Sequence, residues 1–142
     1  MEENNGMCVS YEVDGDNFAS AGEASADVKR ILRQIGLPAD MIRRVTIAMY
    51  EGEINMVIHA HGGIARVEIM PEKIIVDLID KGPGIPDIDL AMREGYSTAP
   101  DSIRALGFGA GMGLPNMKRY ADDILVTSEV GVGTSVKLTF IT

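Results

Sequence analysis

The chain has 142 residues, with 21 Asp and Glu against 13 Lys and Arg for a net charge of −8. That length fits one domain, which buries roughly two-thirds of its unfolded surface and holds a core without covalent staples. The acidic excess argues against a general nucleic-acid or anionic-membrane binder, since both need cations against phosphate. It leaves room for a nucleotide held by backbone N–H groups and a metal ion.

In chain order, residues 1–6 read as a flexible tail ahead of a single domain over 7–142. Met7 to Val13 reads as a strand and Asp14-Gly15-Asp16 as a turn. From about Ala19 to Gln34, Ala24, Val28, Ile31 and Leu32 recur at helical spacing, and Gly36 is placed to stop the helix. Leu37-Pro38-Ala39-Asp40 starts a longer helix to His61, with Gly62-Gly63 past its end. Its apolar residues, from Ile42 to Ile58, occupy much of the circumference, so it is expected to be central and buried. Ala65–Met70 and Lys73–Asp80 read as two strands of an antiparallel hairpin joined at Pro71-Glu72. A short helix from Ile88 to Glu94, a long glycine-bearing loop and a helix from Leu114 to Ala121 follow. Ile124–Ser128 and Thr134–Phe140 close the chain as a hairpin across Gly131-Val132-Gly133. Segregated helices and antiparallel strands predict an α+β two-layer sandwich, with helices on one face of the sheet.

Cys8 alone cannot make an internal disulfide, which fits a reducing compartment, and on its strand it reads as a small core residue. No apolar run approaches the roughly 20 residues of a membrane span. The start Glu2-Glu3-Asn4-Asn5 is unlike a signal peptide, so a cytoplasmic protein is expected.

Three segments carry candidate chemistry. Glu51 and Asn55 are four apart on the long helix and share a face, with His59 one turn further. An amide oxygen is a hard ligand for Mg²⁺ and a nearby carboxylate can deprotonate a hydroxyl, although spacing alone favours a plain polar stripe. Glu53 points elsewhere and reads as a solvated helix face. Gly52, inside the helix, costs about 1 kcal/mol relative to alanine and hints at a close approach by backbone or ligand.

Asp80 ends a strand directly before Lys81-Gly82-Pro83-Gly84-Ile85-Pro86, where a carboxylate can accept a hydrogen bond from an exocyclic amine of a base. An Asp-initiated turn without ligand is the simpler reading of that segment alone. Alternating glycines at 107, 109, 111 and 113 lead into a helix N-terminus near Leu114, where free N–H groups favour an anion. The stretch from Gly95 to Gly113 is longer than most connections and suggests a lid. Neither glycine segment is a Walker-type loop or a dinucleotide fingerprint.

Taken in order, Glu51-x-x-x-Asn55, Asp80-x-Gly-x-Gly84, Gly111-Met112-Gly113-Leu114 and Gly131-Val132-Gly133-Thr134 resemble the boxes of the GHKL ATP-binding superfamily. Within it, the chain is similar to the small serine/threonine kinases and anti-sigma factors of bacterial partner switching. The resemblance implies the Bergerat fold, a mainly antiparallel sheet with helices on one face and an ATP lid. By the resemblance Asn55 holds Mg²⁺, Glu51 is the catalytic base, Asp80 reads the adenine amine and Thr134 supports Asp80. His59, Gly82, Gly84, Ile85 and Gly109 belong to the nucleotide site, and Gly111, Met112, Gly113 and Leu114 offer N–H groups to the phosphates. ATP and Mg²⁺ are the implied cofactors. The implied substrate is a serine on a STAS-domain anti-anti-sigma protein, with a sigma factor or other switch protein as a further partner. A homodimer is left open. The lid from Ser97 to Ala110, Arg104 included, is longer than in the shortest switch kinases.

Overall fold

The computed structural model describes residues 6–14, 22–60, 62–80, 82 and 113–142, leaving aside the side chains of 14, 58–60 and 113. Five strands, β1 (Met7–Asp14), β2 (Gly62–Ile69), β3 (Lys73–Asp80), β4 (Asp123–Glu129) and β5 (Gly133–Ile141), form one sheet in the order β1-β2-β3-β5-β4. All four pairings are antiparallel. Helices α1 (Glu23–Ile35), α2 (Ala39–Ala60) and α3 (Gly113–Tyr120) complete the described elements. The segments read above as the 88–94 helix and the lid lie outside the described residues.

Strand alternation decides the layering. Ala65, Val67 and Ile69 on β2, Ile74, Val76 and Leu78 on β3, and Val136, Leu138 and Phe140 on β5 are buried in one core with α1, α2 and α3. Val9, Tyr11 and Val13 on β1 and Ile124 and Val126 on β4 join its margin. The opposite face presents Ile64, Ile79 and Leu125 to solvent, so helices cover one side only, as expected for a two-layer α+β sandwich.

Gly36 ends α1 as expected: at φ 90° its N–H donates to the carbonyls of Leu32 and Arg33, both at 3.1 Å. Met41, Val45, Ala48, Met49 and Met56 bury α2 in the core, as its apolar circumference predicts. The α3 helix packs on α2 through Leu114 and Met117, and Arg44 ties its end down by donating to the Tyr120 carbonyl at 3.0 Å and pairing with Asp122 at 3.3 Å.

Three expectations are corrected. Glu53 is not on a solvated face: it is 1 % exposed and turned toward α1. Cys8 is not in the core but exposed, because Val9, Tyr11 and Val13 take the inward phase of β1 and put Cys8 on the open face beside Arg66. Strand β2 starts at Gly62 rather than Ala65, since Gly62 and Gly63 pair with Asp14 and Val13 of β1.

Candidate functional site

Strand register builds the site. Ile79 lies opposite Ser135, so Asp80 comes opposite Thr134 on the helix-bearing side of the sheet. There the Asp80 carboxylate accepts two backbone N–H bonds through one oxygen, Oδ1: from Gly82 at 2.9 Å and from Thr134 at 3.1 Å. The other oxygen, Oδ2, has no hydrogen bond among the described residues. A carboxylate fixed by one oxygen leaves the second aimed as an acceptor, which suits recognition of an exocyclic amine.

Thr134 is buried, and its hydroxyl shares a 2.9 Å hydrogen bond with Ser128 Oγ on β4. It therefore touches Asp80 through its backbone N–H, while its side chain ties β4 to β5.

On α2, Glu51 and Asn55 are both half-buried. Asn116 of α3 donates from Nδ2 to Glu51 Oε2 at 3.0 Å. Asn116 was not singled out in the sequence; an amide in the first turns of a helix has no distinguishing pattern, and only the packing of α3 against α2 brings it to Glu51. Asn55 has no hydrogen-bond partner among the described residues, so its amide is available to a ligand. His59 lies in the last turn of α2. Gly113 opens α3 and Leu114 follows it, buried. The structure thus brings together Glu51, Asn55 and Asn116, and separately Asp80, Gly82 and Thr134. Gly84, Ile85, Gly109, Gly111 and Met112, with Arg104, lie outside the described residues.

Gly52 lets α2 pack closely on β3. A Cβ there would overlap the Leu78 side chain, and a Cβ on Gly63 would meet the Ile79 carbonyl oxygen and Met56 Sδ. The close approach hinted at by a helical glycine is therefore to β3, packed directly beneath α2.

Glu53, missed by the sequence reading, anchors this same helix. Its Oε2 accepts from Gly22 N at 3.0 Å and Ala24 N at 3.2 Å, and its Oε1 from Ser25 N at 2.8 Å. Helix α1 begins at Gly22 with φ 99° and no side-chain cap of its own, so α2 supplies the acceptor for its free N–H groups. A helix start at Gly22-Glu23 without Ser, Thr, Asp or Asn at the capping position shows that a cap is missing and not which residue supplies it.

Residues 16–140 match the histidine kinase-like ATPase domain. The chain belongs to that family. Its two layers are the Bergerat fold of the GHKL superfamily, as the resemblance implied. It is 33% identical to an anti-sigma F factor of Clostridium beijerinckii over 138 residues, 93% of this chain and 91% of that protein. It is 31% identical to the serine/threonine-protein kinase RsbT of Bacillus subtilis over 115 residues, 77% of this chain and 79% of that protein. In fold it is similar to a crystal structure of RsbU and RsbW domains from Mycobacterium tuberculosis, with a TM-score of 0.64 and 16% identity, over 94% of this chain and 32% of that one. No helix among the described residues is long and apolar enough to cross a membrane.

Proposed function

We propose that this chain is an ATP- and Mg²⁺-dependent protein serine kinase of partner switching, acting on a serine of a STAS-domain anti-anti-sigma protein. The observation that carries the reading is the pairing of Glu51 with Asn116 on the face of α2 that also carries Asn55, whose amide has no partner among the described residues, with α2 packed over the strand that ends in Asp80. The anti-sigma F and RsbT relatives support the partner-switching role.

The residues fit the nucleotide and its metal. Asp80 presents Oδ2 toward an adenine amine, with Oδ1 fixed by two N–H groups. Among the described residues no cluster of three or more His, Cys, Asp or Glu could hold a metal. Asn55 would hold a magnesium ion through its amide oxygen, a hard donor suited to an ion that takes few ligands from protein. Bound there, the ion supplies charge neutralisation at the phosphates. Glu51 accepts the proton of the serine hydroxyl as that oxygen bonds to the γ-phosphorus and the bond to the ADP oxygen breaks. Asn116 holds the Glu51 carboxylate in place for that step. Gly113 and Leu114 offer N–H groups at the start of α3 to phosphate oxygens.

The second reading is an ATP-gated clamp that sequesters a sigma factor without phosphotransfer, favoured by the anti-sigma F names among the relatives. Intact-mass measurement of a STAS-domain partner after incubation with Mg²⁺ and ATP decides between them. Wild type adds one phosphate to the partner and Glu51→Gln adds none while still binding ATP. A complex that forms with ATP and never yields phosphoserine makes the protein a clamp.

A further inference from the structure

Helices α1 and α2 diverge from the turn at Leu37, and between them lies an open groove of about 460 Å³. Leu37, Ile42 and Ile47 line it with apolar side chains, joined by Lys29 and Arg33 from α1 and Arg43 from α2. Among the described residues no carboxylate lines it. In a chain of net charge −8 that is a local reversal of sign.

The cations around it differ in one respect. Arg30 pairs with Asp27 at 2.8 Å, Arg43 with Asp40 at 3.2 Å, and Arg44 with Asp122 at 3.3 Å. Lys29 and Arg33 have no ion pair or hydrogen-bond partner among the described residues. They stand four apart on one helix face, where like charges repel, and an anion placed between them removes that repulsion. Along α2 the groove runs from Ala39 to Ile47, which is one turn, about 6 Å along the axis, before Glu51.

We propose that this groove is a docking site for an acidic amphipathic segment of a protein partner, which sets apolar side chains on Leu37, Ile42 and Ile47 and carboxylates on Lys29 and Arg33. The apolar lining favours a polypeptide over a nucleic acid, which would require a longer cationic stripe than two unpaired side chains. The proposal does not depend on nucleotide or on phosphotransfer, so it stands or falls apart from the kinase reading.

The test uses the full chain, isotope-labelled for NMR, and a synthetic peptide of about 18 residues, five helical turns, with leucines along one face and glutamates flanking them. The expected result is saturable binding that shifts the amides of 29–33 and 37–47, with affinity falling steeply as salt rises. The double variant Lys29→Glu/Arg33→Glu lowers that affinity on the order of tenfold or more and takes up the matching lysine peptide instead. A circular-dichroism spectrum and urea midpoint that match wild type show that the variant is folded. No saturation, shifts confined to another surface, or equal affinity in the double variant overturns the proposal. Saturation of the same amides by inorganic phosphate alone, without the peptide adding to it, reduces the groove to a small-anion site and overturns it as well.

Discussion

Replacing Glu53 with Gln tests whether one buried carboxylate holds α1 on α2. The side-chain volume is unchanged, but the carboxylate accepts three backbone N–H bonds through both oxygens. An amide has one acceptor oxygen. If that oxygen keeps Gly22 and Ala24, the NH₂ group faces the Ser25 N–H, and one buried donor is left unsatisfied at a cost of about 1–3 kcal/mol. Loss of the negative charge at the start of α1 adds about 0.3–1 kcal/mol from the helix dipole. The expected destabilisation is therefore about 1.3–4 kcal/mol, which for a domain of this size lowers Tm by roughly 4–13 °C. Urea unfolding followed by circular dichroism reads it as a lower midpoint at unchanged slope. A solvated surface glutamate would cost within about 0.5 kcal/mol. A loss that small in Glu53→Gln would refute the capping role.

Gly52→Ala places a methyl group against Leu78 and should destabilise by about 1–3 kcal/mol; combined with Leu78→Ala it should cost less than the sum, and additive losses in a double-mutant cycle would contradict the close packing. Burial, followed by the hydrogen bond to Asp27 at 2.6 Å, raises the Tyr11 hydroxyl above its usual pKa. Its contribution is complete below the unfolded value of 10.0 and lost as pH rises through the folded one, so Tyr11→Phe should flatten the alkaline decline in stability, and an identical slope would count against it. Asp122 is held below the usual carboxylate range by the Ile141 N–H at 2.7 Å and then by Arg44. Its contribution is present above the unfolded value of 3.8 and lost as pH falls through the folded one, so Asp122→Asn should show a shallower acid decline than wild type in denaturation monitored across that range. Asp80→Asn should weaken ATP binding roughly ten- to a hundredfold by calorimetry, the worth of a charge-assisted bond of about 1.5–3 kcal/mol, and unchanged affinity would remove Asp80 from base recognition.

What was legible in the sequence was whatever local periodicity and turn chemistry determine. The α2 helix showed in its apolar circumference and β3 in its unbroken Ile74-Ile75-Val76 run, and Gly36 marked the end of α1 by a conformation that only local geometry sets. The open-face position of Cys8 was legible too, since it follows from the phase of Val9, Tyr11 and Val13, which outweighs the residue's apolar character. Glu53 and Asn116 were not legible. Each acts on a residue of another helix, 28 and 65 positions away in the chain, and no spacing along one helix encodes that contact. The start of β2 was hidden for a related reason. Glycine disfavours strands in isolation, yet at Gly63 only glycine lets β2 pass so close to Ile79 and Met56.

The position of Asp80 follows from the core rather than from any preference of its own. Ile74, Val76 and Leu78 on β3 face the helices opposite Phe140, Leu138 and Val136 on β5, and extending that register by one step pair brings Asp80 to Thr134 on the same side. A slip of one residue in the β3–β5 pairing would turn the three inward side chains of the slipped strand to solvent. Three apolar side chains at about 1.5–3 kcal/mol each make that slip cost about 5–9 kcal/mol, comparable with the whole stability of a typical domain. The acceptor oxygen of the candidate site is thus aimed by hydrophobic burial two to six residues away. The Thr134 hydroxyl, bonded to Ser128, fastens β4 to the same strand end, so the hairpin at Gly131 is held in the register that places Asp80. In consequence, substitutions along β3 and β5 that preserve apolar volume should spare nucleotide binding, whereas a deletion of one residue between Lys73 and Leu78 should abolish it together with the fold.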